Sequence, residues 1–220
     1  MINLFQPKIL NSNNAFPPID QADEDGLLAI GGDLSTELLL EAYQQGIFPW
    51  YNEGEPICWY CPDPRFVLFP NQLIVSKSMR SILSQKRFRF TINKAFEQVI
   101  QQCKTIKRHD QEGTWITPAM EEAYIRMHQL GYAHSAEAWL GNKLVGGLYG
   151  IRLGHVFFGE SMFSSEPNAS KFAFIRYVQQ LQKEQVQLID CQVYTAHLES
   201  LGAVSISRNE FSRLLLIHAK

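Results

Sequence analysis

Metal-binding residues are sparse in this 220-residue chain: four cysteines and six histidines, scattered without ligand spacing. Cys58 and Cys61 form one Cys-x-x-Cys with no second pair, while Cys103 and Cys191 fall inside apolar periodicity. A structural zinc site wants four ligands, so no metal is expected, and the thiols read as reduced and packed. No apolar run approaches the roughly 20 residues of a membrane span. The first residues, from Met1 to Pro7, lack the basic start and cleavage site of a signal peptide, so a cytoplasmic protein is expected. Neither sign of charge dominates, since 20 Lys and Arg face 22 Asp and Glu. That leaves no global attraction to nucleic acid or anionic lipid, and an RNA partner would need a local basic patch. A Gly-x-Ser-x-Gly nucleophile elbow is missing too, and there are no repeats or low-complexity segments. What is abundant is core material: 45% hydrophobic and 12% aromatic residues, enough for one large domain or two small ones.

Against that background two acids stand out. Glu160 ends the run Val156-Phe157-Phe158-Gly159, shortly before the chain breaks into Ser, Pro and Asn. Asp190 is embedded in Leu188-Ile189-Asp190-Cys191-Gln192-Val193. A carboxylate behind an aromatic strand implies something polar to meet it; two of them imply a pocket with a proton-handling floor. The bland reading is that each caps a helix or pairs with an Arg. Asp190 and Gln192 alternate along one strand, so their side chains are expected on one face.

The periodicity divides the chain. Residues 1 to 25 read as irregular. Ser35 caps a first helix carrying Leu38 to Tyr43, which Gly46 ends. Ile47 to Tyr51 leads through a Gly/Pro-rich loop to Cys58-Trp59-Tyr60, and Phe66 to Phe69 reads as a short strand. Helices are expected over Ser76 to Ser84, over Asn93 to Lys104, and after Thr117-Pro118 with Met120, Ala123, Tyr124, Met127 and Leu130 on its apolar stripe. Then the period becomes two: His134 to Leu140, Leu144 to Ile151 and His155 to Phe163, joined by hairpin-type turns. A long helix from Asn168 to Glu184 follows, with apolar residues on more than one side, either all core or partly a pocket wall. A strand at Gln187 to Val193, a short helix, a short strand and a final helix from Asn209 complete the chain. This is α/β of the α+β type. A boundary falls between about 60 and 110, and is set here as an N-terminal domain 1–62 and a C-terminal domain 63–220.

Several motifs in order resemble the leucyl/phenylalanyl-tRNA–protein transferase family: Gly26 to Leu34, Gly46 to Trp50, Pro62 to Arg65, Gly113 to Thr117, Gly159 to Phe163, Asn168 to Lys171, and Leu188 to Gln192 with His197 and Ser200 to Ala203. The resemblance implies a GCN5-related N-acetyltransferase-like C-terminal domain with an antiparallel meander and long helix, preceded by a small N-terminal domain. It implies transfer of Leu, Phe and less readily Met from aminoacyl-tRNA to the α-amine of proteins starting with Arg or Lys, which marks them for degradation. No cofactor and no membrane are expected, and the protein is expected as a monomer.

That chemistry suits the residues. An aminoacyl ester is already activated, and an α-amine with a pKa near 7.7–8.0 is roughly a tenth neutral at pH 7. Orientation, a modest proton acceptor and oxyanion stabilisation suffice, without a covalent nucleophile. The resemblance assigns Asp190 and Gln192 to the attacking amine, with Glu160 as the second acid binding an ammonium or amide. It places Leu148, Phe157, Met162, Phe174, Tyr177, Leu181 and Ile189 around the aminoacyl side chain, although unassisted these seven are simply core. Trp50 and Trp115 match the tryptophans near the tRNA 3′ adenosine, where an aromatic platform is needed. Lys77, Arg80, Lys86, Arg87 and Arg89 cluster as candidates for the tRNA body, while Ser81 and Ser84 replace basic residues common in the family. His197 is expected to orient or pack. An ordinary acetyl-CoA enzyme is disfavoured, because the turn before the long helix, Ser164 to Asn168, holds no glycine to admit a pyrophosphate.

Overall fold

The computed structural model describes residues 7–11, 15–106 and 115–219. The expected readings at Met1 to Gln6 and at Gly113-Thr114 lie outside them. In chain order the elements are β1 (Lys8–Leu10), β2 (Leu27–Gly31), α1 (Thr36–Gln44), β3 (Phe48–Pro49), β4 (Cys58–Tyr60), β5 (Arg65–Leu68), α2 (Lys77–Ser84), β6 (Arg89–Ile92), α3 (Phe96–Thr105), α4 (Pro118–Gln129), β7 (Ala133–Leu140), β8 (Lys143–Leu153), β9 (Val156–Ser164), α5 (Ala169–Lys183), β10 (Leu188–Gln192), α6 (Ala196–Glu199), β11 (Val204–Ile206) and α7 (Arg208–His218). Short 3-10 turns cover Ile19–Gln21 and Pro70–Gln72.

Ser35 and Thr117 act as the expected caps of α1 and α4, and Ser76 and Ser207 do the same for α2 and α7: each accepts a backbone N–H three residues on, which satisfies one of the orphan donors at each helix start. The irregular reading of residues 1 to 25 is corrected: β1 lies parallel to β2. Strands β2 and β6 also carry no clear alternation, because they pair on both sides or are short. Leu130, expected on the α4 stripe, is 60% exposed because it is the C-cap residue, already turned out of the helix.

Two sheets result. A four-stranded sheet runs β1-β2-β4-β3, and a seven-stranded sheet runs β11-β5-β10-β9-β8-β7-β6. In the larger sheet β6 to β9 form an antiparallel meander. Helix α5 then crosses over to deliver β10 parallel to β9. One apolar core spans the smaller sheet, α1, α3, α4, α7 and one face of the larger sheet. A second core lies between its other face and α5 with α2. Gly146 lets α5 settle on β8, since a Cβ there would meet the Ala169 backbone at 2.7 Å.

The feature that positions everything else is where β9 and β10 part. They pair only from Leu188 opposite Val156 to Asp190 opposite Phe158, although β9 continues to Ser164. Each strand bulges just there. On β9, Tyr149 pairs with Ser161 and Gly150 with Gly159, leaving Glu160 as the extra residue. On β10, Asp190 pairs with Val67 and Gln192 with Phe66, leaving Cys191 as the extra residue. Bulges bend strands and re-aim side chains, and two at one level prise neighbouring strands apart. A cleft opens at the carboxyl ends of the parallel strands.

Candidate active site

The cleft has a volume of about 460 Å³, within the range of small-molecule sites. It passes between the splayed strands, so its wall changes character from one sheet face to the other. On the α5 side lie Leu148, Met162, Phe174 and Ile189; on the other side are Phe48, Tyr149 and Glu160. Trp50 and Trp115 stand at its rim. Trp50 is 41% exposed and leans edge-on against Tyr60, with ring centres 5.8 Å apart. Its loop position follows from Phe48 and Pro49, which anchor β3 in the core.

Three of the seven residues expected around the aminoacyl side chain do not reach this cleft. Phe157 pairs opposite Ile189, below the point of separation, and packs edge-on against Tyr177 at 5.0 Å. Tyr177 lies one turn beyond Phe174 on α5, and Leu181 a further turn, so both are buried under the cleft floor. Phe174 is thus the point where the second apolar side of α5 becomes a cleft wall, while Phe172 and Ile175 belong to the core.

The two acids differ sharply in their surroundings. Asp190 is fully buried and clasped by Arg65, with Nε to Oδ1 at 2.8 Å and Nη2 to Oδ2 at 2.6 Å. Arg65 is itself buried, its guanidinium held between the rings of Phe48 and Phe211 at 4.8 and 4.6 Å. Such a two-toothed, stacked geometry favours Arg over Lys. The Oδ1 of Asp190 also accepts the Gln192 N–H at 2.9 Å, a short Asp-to-backbone turn. It holds Gln192 at φ 63°, a left-handed conformation that L-residues avoid.

Gln192 is thereby aimed at the other acid. Its Nε2 donates to Glu160 Oε1 at 3.1 Å. So does the Tyr43 hydroxyl at 2.7 Å, while the Tyr124 hydroxyl donates to Oε2 at 3.0 Å, and the two tyrosine oxygens are themselves hydrogen-bonded to each other. Asp190 and Gln192 were expected on one face by alternation; the bulge at Cys191 interrupts that alternation, and the two side chains meet different partners, Arg65 and Glu160. Burial pushes Glu160 up to about 7, partly offset by the donated hydroxyl bonds. Burial likewise drives the Tyr43 and Tyr124 hydroxyls well above their ordinary value. His197 also lines the cleft, with its Nε2 buried and without a hydrogen-bond partner among the described residues. Burial first, and Lys171 second, lower its pKa.

Tyr43, Tyr124 and Arg65 are the site residues that sequence reasoning missed as such. A signal existed for the first two: a tyrosine on a core stripe must find a partner for its hydroxyl. The basic candidates Lys77, Arg80, Lys86, Arg87 and Arg89 are all exposed, on α2, the following turn and β6. Arg87 pairs with Glu166 at 3.2 Å, and Arg89 stacks on Trp139. Among the described residues no group of three or more His, Cys, Asp or Glu is placed to hold a metal ion.

Comparison with known proteins decides the family. The model for the leucyl/phenylalanyl-tRNA protein transferases matches residues 67–216, and that for their N-terminal domain matches residues 32–63. The chain belongs to this family, whose members are aminoacyltransferases. A leucyl/phenylalanyl-tRNA–protein transferase of Christiangramia forsetii is 57% identical over 209 residues, covering 94% of this chain and 99% of its own length. One from Flavobacterium johnsoniae is 59% identical over 200 residues, covering 91% and 94%. Among solved structures, a GCN5-related N-acetyltransferase from Kribbella flavida aligns with 78% of this chain and 61% of its own, at 9% identity and a TM-score of 0.40.

Proposed function

We propose that this member of the family moves leucyl and phenylalanyl groups, and methionyl less readily, from tRNA to the α-amine of cytoplasmic proteins that begin with Arg or Lys, marking them for degradation. The observation that carries this reading is the two-sided cleft. An apolar half of Leu148, Met162, Phe174 and Ile189 joins directly to the polar half at Glu160 and Gln192. An aminoacyl ester needs that combination: a shape-selective hole for the side chain, and hydrogen-bonding groups where the ester meets an amine.

Trp50 and Trp115 at the rim give the 3′ adenosine a stacking surface. Lys77, Arg80, Lys86 and Arg87 form the contact for the tRNA body, in a phosphate-dependent and therefore salt-sensitive way. Unbranched flexibility at Met162 fits a pocket that takes both Leu and Phe, whereas a β-branched Ile or Val would crowd the entrance. The reaction is aminolysis: the amine adds to the ester carbonyl and the tRNA leaves as its free terminal hydroxyl.

The test is transfer of labelled Leu from Leu-tRNA to peptides starting with Arg, Lys or Ala. Transfer to the first two and not the third is expected, and it should survive EDTA. Equal labelling of the Ala peptide would remove the acceptor specificity, and no labelling at all would remove the reading.

A further inference from the structure

We propose that Glu160 is the catalytic residue that takes the proton from the acceptor amine, with Tyr43 and Tyr124 as its positioning residues, while Asp190 and Arg65 form a clamp on the Gln192 backbone. This rests on the transfer reaction proposed above and assigns its proton.

Asp190 is the acid that sequence logic would choose, yet it is poorly placed to receive anything. Both its oxygens are engaged by the Arg65 guanidinium, and Oδ1 also by the Gln192 N–H. The residue is fully buried, and its partner is sealed between two aromatic rings. A proton arriving there would have to break the two-toothed ion pair in a low-dielectric surrounding, where leaving Arg65 unpaired is costly. The observed bonds give Asp190 a different duty. They hold Gln192 left-handed, so that its carboxamide meets Glu160.

Glu160 has the opposite environment. It lines the cleft and, among the described residues, carries no cationic partner within bonding distance. Its two oxygens and the two tyrosine hydroxyls form a closed ring of three contacts: Tyr43 to Tyr124, Tyr43 to Oε1, and Tyr124 to Oε2. With the carboxylate ionised, two hydroxyl protons must serve three contacts. Once Glu160 is protonated, there are three protons for three contacts, and Gln192 still donates to Oε1. The ring can be drawn with either proton count, so it accepts one proton and can release it again; the two hydroxyls favour the ionised carboxylate, and burial favours the protonated one. The groups facing Glu160 are Tyr43 from α1, Tyr124 from α4, Asp190 and Gln192 from β10, and Arg65 from β5; Tyr149 of β8 packs edge-on against Tyr124. Burial, the largest influence, raises the carboxyl to about 7, close to the operating pH that suits a general base.

The step balances without a redox partner. The neutral α-amine attacks the ester carbonyl carbon, a C–N bond forms, and the carbonyl electron pair moves onto oxygen. The surplus nitrogen proton passes to the Glu160 carboxylate. On collapse the bond from carbon to the ribose oxygen breaks, and the oxygen leaves with the electron pair. It takes the proton back from Glu160, restoring the carboxylate and freeing the tRNA hydroxyl.

The experiment is the pH profile of leucyl transfer to an Arg-starting peptide, from pH 5.5 to 9, for four proteins. Wild type should show two rising limbs, one near 7 and one from the amine itself near 7.7–8.0. Glu160→Gln should lose the limb near 7 and at least about 10²-fold in kcat, with KM for aminoacyl-tRNA within a few-fold. Tyr43→Phe removes a donor that favours the ionised form, so its lower limb should move to higher pH. Arg65→Met with Asp190→Asn keeps an oxygen for the Gln192 N–H and should retain the limb near 7 whatever its rate. A limb near 7 that persists in Glu160→Gln, stays put in Tyr43→Phe, or vanishes only in the double variant would overturn this assignment alone. Absence of transfer by wild type would take down the functional reading and the assignment with it.

Discussion

Glu137 and Glu160 lie on strands two apart in one sheet, both buried, and they do unlike things. Glu137 of β7 accepts from Thr91 Oγ1 at 2.5 Å, from Ser135 Oγ at 2.6 Å, and from the N–H groups of Lys94 and Ala95. These last two lie just ahead of α3, whose own N-cap residue Ala95 has no polar side chain to offer. Glu137 therefore ties down the entry to α3 from another strand, beside a helix end that favours a negative charge. Short hydroxyl and amide donors saturate it, and it has no face toward the cleft. Glu160 is met by tyrosines and a glutamine and opens onto a cavity. Buried acidity is thus not itself a mark of function; what matters is whether the partners saturate the group and whether a substrate can reach it. Asp190 falls on Glu137's side of this divide, although it borders the cleft.

The comparison can be broken most forcefully at the clamp. Arg65→Met leaves a buried Asp190 unpaired and should cost about 3–5 kcal/mol in denaturant unfolding; a loss under about 1 kcal/mol would mean that water or another donor replaces the guanidinium. Next comes Glu160→Gln, where catalysis and stability should part. The folded protein holds the Glu160 proton up to about pH 7 against an ordinary 4.5. Its stabilising contribution is therefore present at acid pH and is lost as pH rises through about 7, and Gln has no such dependence. The stability of the variant relative to wild type should improve from pH 5 to pH 8, while transfer falls at least about 10²-fold. A constant stability difference across that range would contradict the raised carboxyl.

Glu137→Gln should show the reverse pattern: about 1–3 kcal/mol of stability lost from orphaned donors, with kcat of the folded protein kept. A 10²-fold drop in kcat there would erase the distinction between the two glutamates. The smallest effect is expected at the rim, where Trp50→Ala should weaken binding of a 3′-terminal analogue such as puromycin by about 1–3 kcal/mol, the range for loss of one stacking ring. Unchanged affinity would take Trp50 out of the site.

Legibility followed distance along the chain. Caps at Ser35 and Thr117, the apolar stripe of α4, and the alternation of β7 to β9 are local, and they read correctly within a residue or two. Short or doubly paired strands such as β1, β2 and β6 did not, since their pattern depends on neighbours distant in sequence. At the site, Glu160 and Asp190 were visible as acids in apolar strands, but Glu137, between Ala136 and Ala138, carries the same signature and drew no notice. Phe157 and Met162 could not be told apart, because the bulge at Glu160 changes which face each later residue of β9 presents.

Composition, periodicity and motif order alone thus determined the class of fold, its helices and meander, and the family of the chemistry, since these depend on short-range backbone preference and on residue type. Which carboxyl is clasped and which is open was decided only when Tyr43, Arg65, Tyr124, Glu160 and Gln192 came together from five separate elements. A buried charge takes its character from whatever donors surround it, and those donors are set by packing rather than by neighbours in the chain.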